Sequence, residues 1–495
     1  MYGQLALATL GIGYALVRML VPSLAMPLLV VPPLLLLLWL GWRLVHPPVT
    51  LQTPLGWPLL ACALVLVASS FQAVTDPGEV VAILFFWGGS VGIILFLMMF
   101  LLAAGWSPSI FMQAMLLTIT VLLLHASWDL GHFWHTWLSA WQPGVSLLPP
   151  LVPQDFIGMS HTEAVIPFYT GIPLVMMALW RAESLWQRAG WAIWLVLALL
   201  VIFYTSSRGG WLAMVAEVAL MVAVLLWSAY RARQTRRLVV TVVLSAAYAA
   251  LFAVLFLNAY GFLQVTVGTT DEGPTDTTPA MEPLVEEAED VTTLTSPMGR
   301  RVFWARALDI FANHPVLGAG PGGYPTRYQV LEPERSKAFL PTHAHSIPLA
   351  FLSELGVLGG GVFVVPLVWG ALLWWRGWRA TRALSEEWLT MLACAAIGVG
   401  MAVHGIFDVP AVQNGSLGLY ALVVGLGVAG CWQLAEVPPA GGGAGRVFNQ
   451  QNPTRPATRQ TVFWSSLRWP HPLHMTLVVA TLLAWAIATL VFLQG

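Results

Sequence analysis

The stretch THAHSIPLAFLSELG (342–356) gathers His343, His345 and Glu354 at the head of an apolar run. An imidazole is the side chain whose ordinary titration lies near neutrality, so it can take a proton from a hydroxyl group. The plainer role for a histidine at the mouth of an apolar helix is a polar cap. For Glu354, nine positions beyond His345, it is a hydrogen bond inside a helix bundle. Cations collect just upstream: Arg300, Arg301, Arg306, Arg327, Arg335 and Lys337, with Arg208 earlier, in YTSSRGGWLAM. The planar fork of arginine matches phosphate oxygens and stays charged in a dry cleft. Arg208 precedes Gly209 and Gly210 at an expected helix N-terminus, where backbone can approach an anion closely. Such positive neighbours disfavour a protonated imidazole, so an anion site beside a neutral base is the chemistry these residues suit. Two alternatives stay open for the arginines, pairing with a nearby acidic segment and contact with lipid phosphates.

Other chemistries find less support. On a helix, His343 and His345 would point in different directions, and the loops hold no Asp-x-Asp cluster, so no metal and no cofactor is expected. GAGPGG (Gly318, Gly320, Gly323) fits the dinucleotide pattern G-x-G-x-x-G, but lacks a strand before it and an acid about twenty positions on. NGS (Asn414–Ser416) is a chance glycosylation sequon. For Glu217, His404 and Asp408, all in or beside apolar runs, structural hydrogen bonding is the default reading.

The elements that must position these groups are set by composition. Of 495 residues, 58% are hydrophobic and 9% charged, against about 25% charged in a soluble domain, so most of the chain expects lipid around it. A net charge of -1 gives no basic field for nucleic acid. Cys62, Cys394 and Cys431 lie in apolar runs with neither disulfide nor zinc spacing. Spans long enough to cross a bilayer fall at 3–21, 24–41, 55–73, 79–104, 108–128, 163–181, 189–206, 209–230, 238–262, 346–375, 387–407, 413–434 and 474–493. The expected fold class is therefore an all-α integral membrane protein with about 12–13 transmembrane helices. The first run lacks a basic leader and a cleavage site, and reads as a retained helix.

Arginine sets the orientation. Arg181 and Arg188; Arg231, Arg233, Arg236 and Arg237; Arg376, Arg379 and Arg382; and Arg446, Arg455, Arg459 and Arg468 all fall on one side if the helices alternate, and the positive-inside rule makes that side cytoplasmic. Residues 129–162 and the large loop 263–345, between helices 9 and 10, then lie outside. Within that loop, 269–290 is acidic, Pro/Thr-rich and expected to be disordered. Residues 298–330 carry Phe303, Ala307, Ile310 and Phe311 at helical spacing, which predicts a short amphipathic helix on the membrane surface. Residues 1–434 read as a twelve-helix core, 435–473 as a flexible cytoplasmic linker, and 474–495 as an additional helix. Trp134, Trp137 and Tyr324 fall in the outer loops, suited to an interfacial belt or to stacking on sugar rings.

Three stretches together resemble the O-antigen ligase and polymerase superfamily of bacterial membrane glycosyltransferases. SSRGGWLA is similar to its Ser-Arg-Gly-x-Trp signature. GRRVFWARALDIFANHPVLGAGPGGY is similar to its Gly-Arg, Trp and "hPllGvGpG" pattern, and HSIPLAFLSELGVLG to its His-Asn-x-x-Leu and Glu-x-Gly element. IGMSHTEAVIPFYTGIPL (157–174) is a fourth, weaker likeness, and Ser346 stands where the family has Asn.

The resemblance implies a GT-C-type fold with an external catalytic loop in the bacterial cytoplasmic membrane, without metal. It implies a polyprenyl (undecaprenyl) diphosphate-linked glycan as donor, transferred with inversion to a hydroxyl of an acceptor glycan, lipid or protein. By position, Arg208 and Arg300 match the family's diphosphate-binding arginines, with Arg301 and Arg327 as helpers. His345 matches its catalytic histidine, while His343, Trp304, Tyr324 and Glu354 are supporting residues. The four-residue spacing to Trp304 favours Arg300 over Arg301. The competing expectation is a transporter of a small anion or lipid-linked sugar, whose binding site would lie near the bilayer midplane.

Overall fold

The structure, a computed structural model, describes residues 56–71, 108–139, 156, 161–268, 297–338, 340–341, 343–380 and 383–408. The expected crossings at 3–21, 24–41, 79–104, 413–434 and 474–493, the acidic segment 269–290 and the linker 435–473 lie outside the described residues.

The elements among the described residues are all helices: α1 (Gly56–Ser70), α2 (Pro108–Ser139), α3 (His161–Arg181), α4 (Leu185–Tyr204), α5 (Arg208–Arg231), α6 (Thr235–Gly268), α7 (Pro297–Asn313), α8 (Gly323–Leu331), α9 (Pro333–Ala338), α10 (Ile347–Ala380) and α11 (Glu386–Phe407). Six of them, α2 to α6 and α11, hold segments long and apolar enough to cross a membrane, consistent with a multi-pass membrane protein. α2 runs eleven residues past the expected boundary, through part of the segment read as an outer loop. Tertiary packing carries it there, because Phe133 and Trp134 both meet the ring of Tyr204 edge-on, at 6.0 and 5.9 Å.

Side-chain oxygens start the helices where orphan N–H groups need acceptors. Ser184 and Gln187 form a reciprocal capping box on α4. Ser207 Oγ accepts from Gly210 N–H at the head of α5, and Ser385 from Trp388 N–H at the head of α11. α3, α4, α5 and α11 share one buried core with α2 and α6. α5 and α11 run antiparallel: Gly209 lies against His404 at one end, and Met221 and Leu225 pack with Trp388 and Leu392 toward the other. The arginine-bearing turns after α3 and α5 meet at that second end, where the Arg237 guanidinium sits 5.6 Å from the ring of Trp180.

α7, α8 and the head of α10 form a separate small core. Phe303, Ala307 and Ile310 pack with Tyr324, Tyr328 and Ala344. The apolar stripe of α7, expected to lie on the membrane surface, thus faces the loop's own interior. Burying Phe303 and Ile310 there contributes about 1.5–3 kcal/mol each.

α10 is broken at Gly356 (φ 65°, ψ -163°), and the glycine-rich turn after α7 fills the break. Ala319 N–H donates to the Ser353 carbonyl and Gly320 N–H to that of Glu354. Val357 and Leu358 N–H donate to the carbonyls of Pro315 and Val316. A Cβ on Gly318 would sit 2.2 Å from the Glu354 carbonyl carbon, and one on Gly356 would sit 2.4 Å from that of Val316. Both φ values are positive, so only glycine meets both demands. This seam, and not a nucleotide phosphate, accounts for GAGPGG.

Candidate functional site

The site forms where the head of α10, the end of α11, the first turn of α7 and the α4–α5 turn come together. His345 precedes α10 in a left-handed backbone conformation (φ 50°), which costs a non-glycine residue about 1–3 kcal/mol and is over-determined here by its contacts. Its ring stacks on Phe303 (centroids 5.3 Å apart), and its carbonyl accepts a 3.4 Å hydrogen bond from Trp304 Nε1. His345 Nδ1 lies 3.3 Å from Asp408 Oδ1, and Arg300 Nη2 lies 3.8 Å from Asp408 Oδ2. One carboxylate therefore bridges the imidazole and the guanidinium. The pair stays partly open, with side chains of Arg300 and His345 19% and 26% exposed against 8% for Asp408.

Charge orders this cluster. Burial alone would push the Asp408 carboxyl up. The His345 hydrogen bond and the charge of His404, His345 and Arg300 outweigh burial and hold it well below the usual carboxylate range. His343 is buried with its ring 4.5 Å from that of His345, and burial first, then His345, lower it to about 4, leaving it neutral at neutral pH. The α4–α5 turn reverses the chain through Ser206, also left-handed (φ 55°), and Trp211 Nε1 donates back to the Ile202 carbonyl across it. Arg208 emerges exposed from the first position of α5. Its neighbour Gly209 touches the ring of His404, one turn before Asp408. His404 Nδ1 is 3.2 Å from the Tyr169 hydroxyl.

The structure thus brings together Arg300, His343, His345 and Trp304 and sets Arg208 on an adjoining element. Arg301 is exposed, and it is Arg300 that reaches Asp408. Arg327 lies half-buried on α8, its Nε–H buried without a hydrogen-bond partner among the described residues. Glu354 serves the seam, because Oε2 accepts from Gly322 N–H at 3.0 Å. Tyr324, expected at the interface or against sugar, is fully buried and donates from its hydroxyl to the Phe303 carbonyl at 3.0 Å. Trp137 is likewise buried, and Trp134 is partly buried and packed edge-on against Tyr204. Arg306 is taken up by Glu332 at 2.9 Å and by Asp309.

Two corrections concern the histidines and their acid. His343 and His345 do not diverge, because neither is on a helix. With Asp408 they offer three donor atoms within 4.8 Å of one another, a set able to hold a metal ion. Asp408, read as structural, is the hub of the cluster. No spacing rule links positions 63 apart, although His404 and Asp408, four apart at the end of an apolar helix, were a visible signal.

Residues 193–364 match the family model described as O-antigen ligase, a span that takes in Arg208, Arg300 and His345 and ends before Asp408. No curated protein is similar enough to the chain to count as a match. Residues 193–364 are a domain of the O-antigen ligase family, a family of enzymes whose membership implies transfer of lipid-linked glycans.

Proposed function

We propose that the protein transfers a glycan from a polyprenyl diphosphate carrier to an acceptor hydroxyl on the extracytoplasmic side of the membrane, in one inverting displacement. The observation that carries this reading is the shared carboxylate: Asp408 holds His345 on one oxygen and Arg300 on the other. With Nδ1–H donated to Asp408, the Nε2 lone pair of His345 is left to accept the acceptor's hydroxyl proton. The hydroxyl oxygen attacks the anomeric carbon, and the carbon–oxygen bond to the diphosphate breaks. The electron pair leaves on the phosphate oxygen, where Arg300 and Arg208, helped by Arg301 and Arg327, neutralise it. Asp408 then stabilises the imidazolium, and neutral His343 adds no charge against it.

The arginines also support a metal-independent reaction. A cation on His343, His345 and Asp408 would have Arg300 as a repelling neighbour 3.8 Å from the same carboxylate. Placement of the site outside rests on the arginine-rich turns at the other end of the bundle and the positive-inside rule. The match of residues 193–364 to a family of enzymes favours glycan transfer over the transporter alternative.

The test is transfer by the purified protein from polyprenyl diphosphate-linked glycan to lipid, glycan and protein acceptors. His345→Ala is expected to abolish turnover, and Arg300→Gln to raise KM for the donor and lower kcat. Undiminished transfer by His345→Ala would remove the base from the mechanism.

A further inference from the structure

At the end of the bundle away from the site, α3, α4, α5 and α6 enclose a cavity of about 550 Å3. That lies within the roughly 300–1,000 Å3 typical of small-molecule sites. Its inner wall is mostly apolar, with Leu195 from α4, Val218 from α5 and Leu251 from α6, and the hydroxyls of Ser245 and Tyr248 among them. Its rim carries three cations, Arg181, Arg188 and Arg237, against one acid, Glu183. Two of the cations are already oriented. Arg188 donates from Nε and Nη2 to the Ala182 carbonyl, and Arg237 lies over the ring of Trp180. An apolar chamber with a cationic mouth complements a molecule with hydrocarbon chains and a negative head.

We propose that this cavity is a binding site for an anionic diacyl phospholipid, its phosphate against Arg181 and Arg237 and its chains among α4, α5 and α6. It is separate from the donor site. The cationic mouth lies toward the Arg231 end of α5, by Leu225, which is 17 residues and about 25 Å along the helix from Arg208. One carrier diphosphate does not reach both ends. The same rule that makes the arginine-rich end cytoplasmic places this site in the leaflet where anionic headgroups meet juxtamembrane cations.

Native mass spectrometry of the purified, detergent-solubilised protein tests this, by titration with phosphatidylglycerol and with phosphatidylcholine of identical chains. Each cation near an anionic headgroup is worth about fivefold in affinity, so phosphatidylglycerol is expected to bind at least about tenfold more tightly. In Arg181→Gln/Arg237→Gln its affinity falls to that of phosphatidylcholine. In Ala192→Trp, which fills the chamber and leaves the arginines in place, phosphatidylglycerol binding is lost. Ala192→Trp decides alone if the double variant does not fold. Equal affinity for the two lipids in the wild type, or phosphatidylglycerol binding unmoved by a folded variant, overturns the proposal. Because the readout is lipid binding, its failure leaves the glycan-transfer reading untouched, and the converse holds too.

Discussion

Replacing Asp408 by Asn keeps the shape of the side chain and removes its charge. The charge-assisted hydrogen bond to His345 Nδ1, at 3.3 Å, becomes a neutral one. Bonds to charged groups contribute about 1.5–3 kcal/mol, so a loss confined to the transition state lowers kcat roughly ten- to hundredfold. The amide can also present its NH2 to Nδ1 and move the imidazole proton to Nε2, where the lone pair is needed, which places the loss toward the top of that range. Arg300 behaves oppositely. Relieved of a counter-charge 3.8 Å away, its guanidinium is freer for the diphosphate, so KM for the donor stays level or falls. The assay is steady-state transfer with donor varied at saturating acceptor, alongside the thermal unfolding midpoint. A folded Asp408→Asn protein with kcat within about twofold of wild type, or with KM raised and kcat intact, refutes the assignment of Asp408 as the group that orients the base.

Acid stability should report on His343. Between pH about 6.5 and about 4 the unfolded chain takes up a proton that folded His343 refuses, so stability falls across that window by about 3 kcal/mol. In His343→Asn the difference in unfolding midpoint between pH 7 and pH 4.5 shrinks. Gly318→Ala, with φ 69° and a methyl 2.2 Å from the Glu354 carbonyl carbon, unfolds at markedly lower temperature and loses transfer. The backbone conformation alone costs about 1–2 kcal/mol before the clash, whereas Gly361→Ala, which meets nothing within 4 Å, is nearly silent. Chelator added to the transfer assay leaves the rate unchanged if the arginines alone neutralise the leaving diphosphate.

Hydropathy was enough to place the six long apolar helices, because runs such as 209–230 and 387–407 are predominantly apolar and begin just after capping serines. It missed the extension of α2, where polar and aromatic residues mix and only contact with Tyr204 decides. Arg300 and His345 could be picked out as candidates from their motifs, and the fold brings the two to one carboxylate, while Arg208 stands exposed on the adjoining turn. Asp408 was not singled out, because its partners come from other elements and one buried acid looks like another until the fold closes. Tyr324 was misread for a related reason. Its sequence neighbourhood is a polar loop, and the small core that buries it forms only when α7, α8 and the lead-in to α10 fold back on one another.

The seam at Gly356 makes the turn after α7 a splint for α10. It grips carbonyls of Ser353 and Glu354 before the break and N–H groups of Val357 and Leu358 after it. Cutting the turn away would free α10 to straighten and carry His345 off Asp408, even with every side chain of the cluster retained. A chimera that exchanges specificity with a relative should therefore graft 297–358 as one cassette. Transplanting the arginine-bearing loop alone would leave its seat behind.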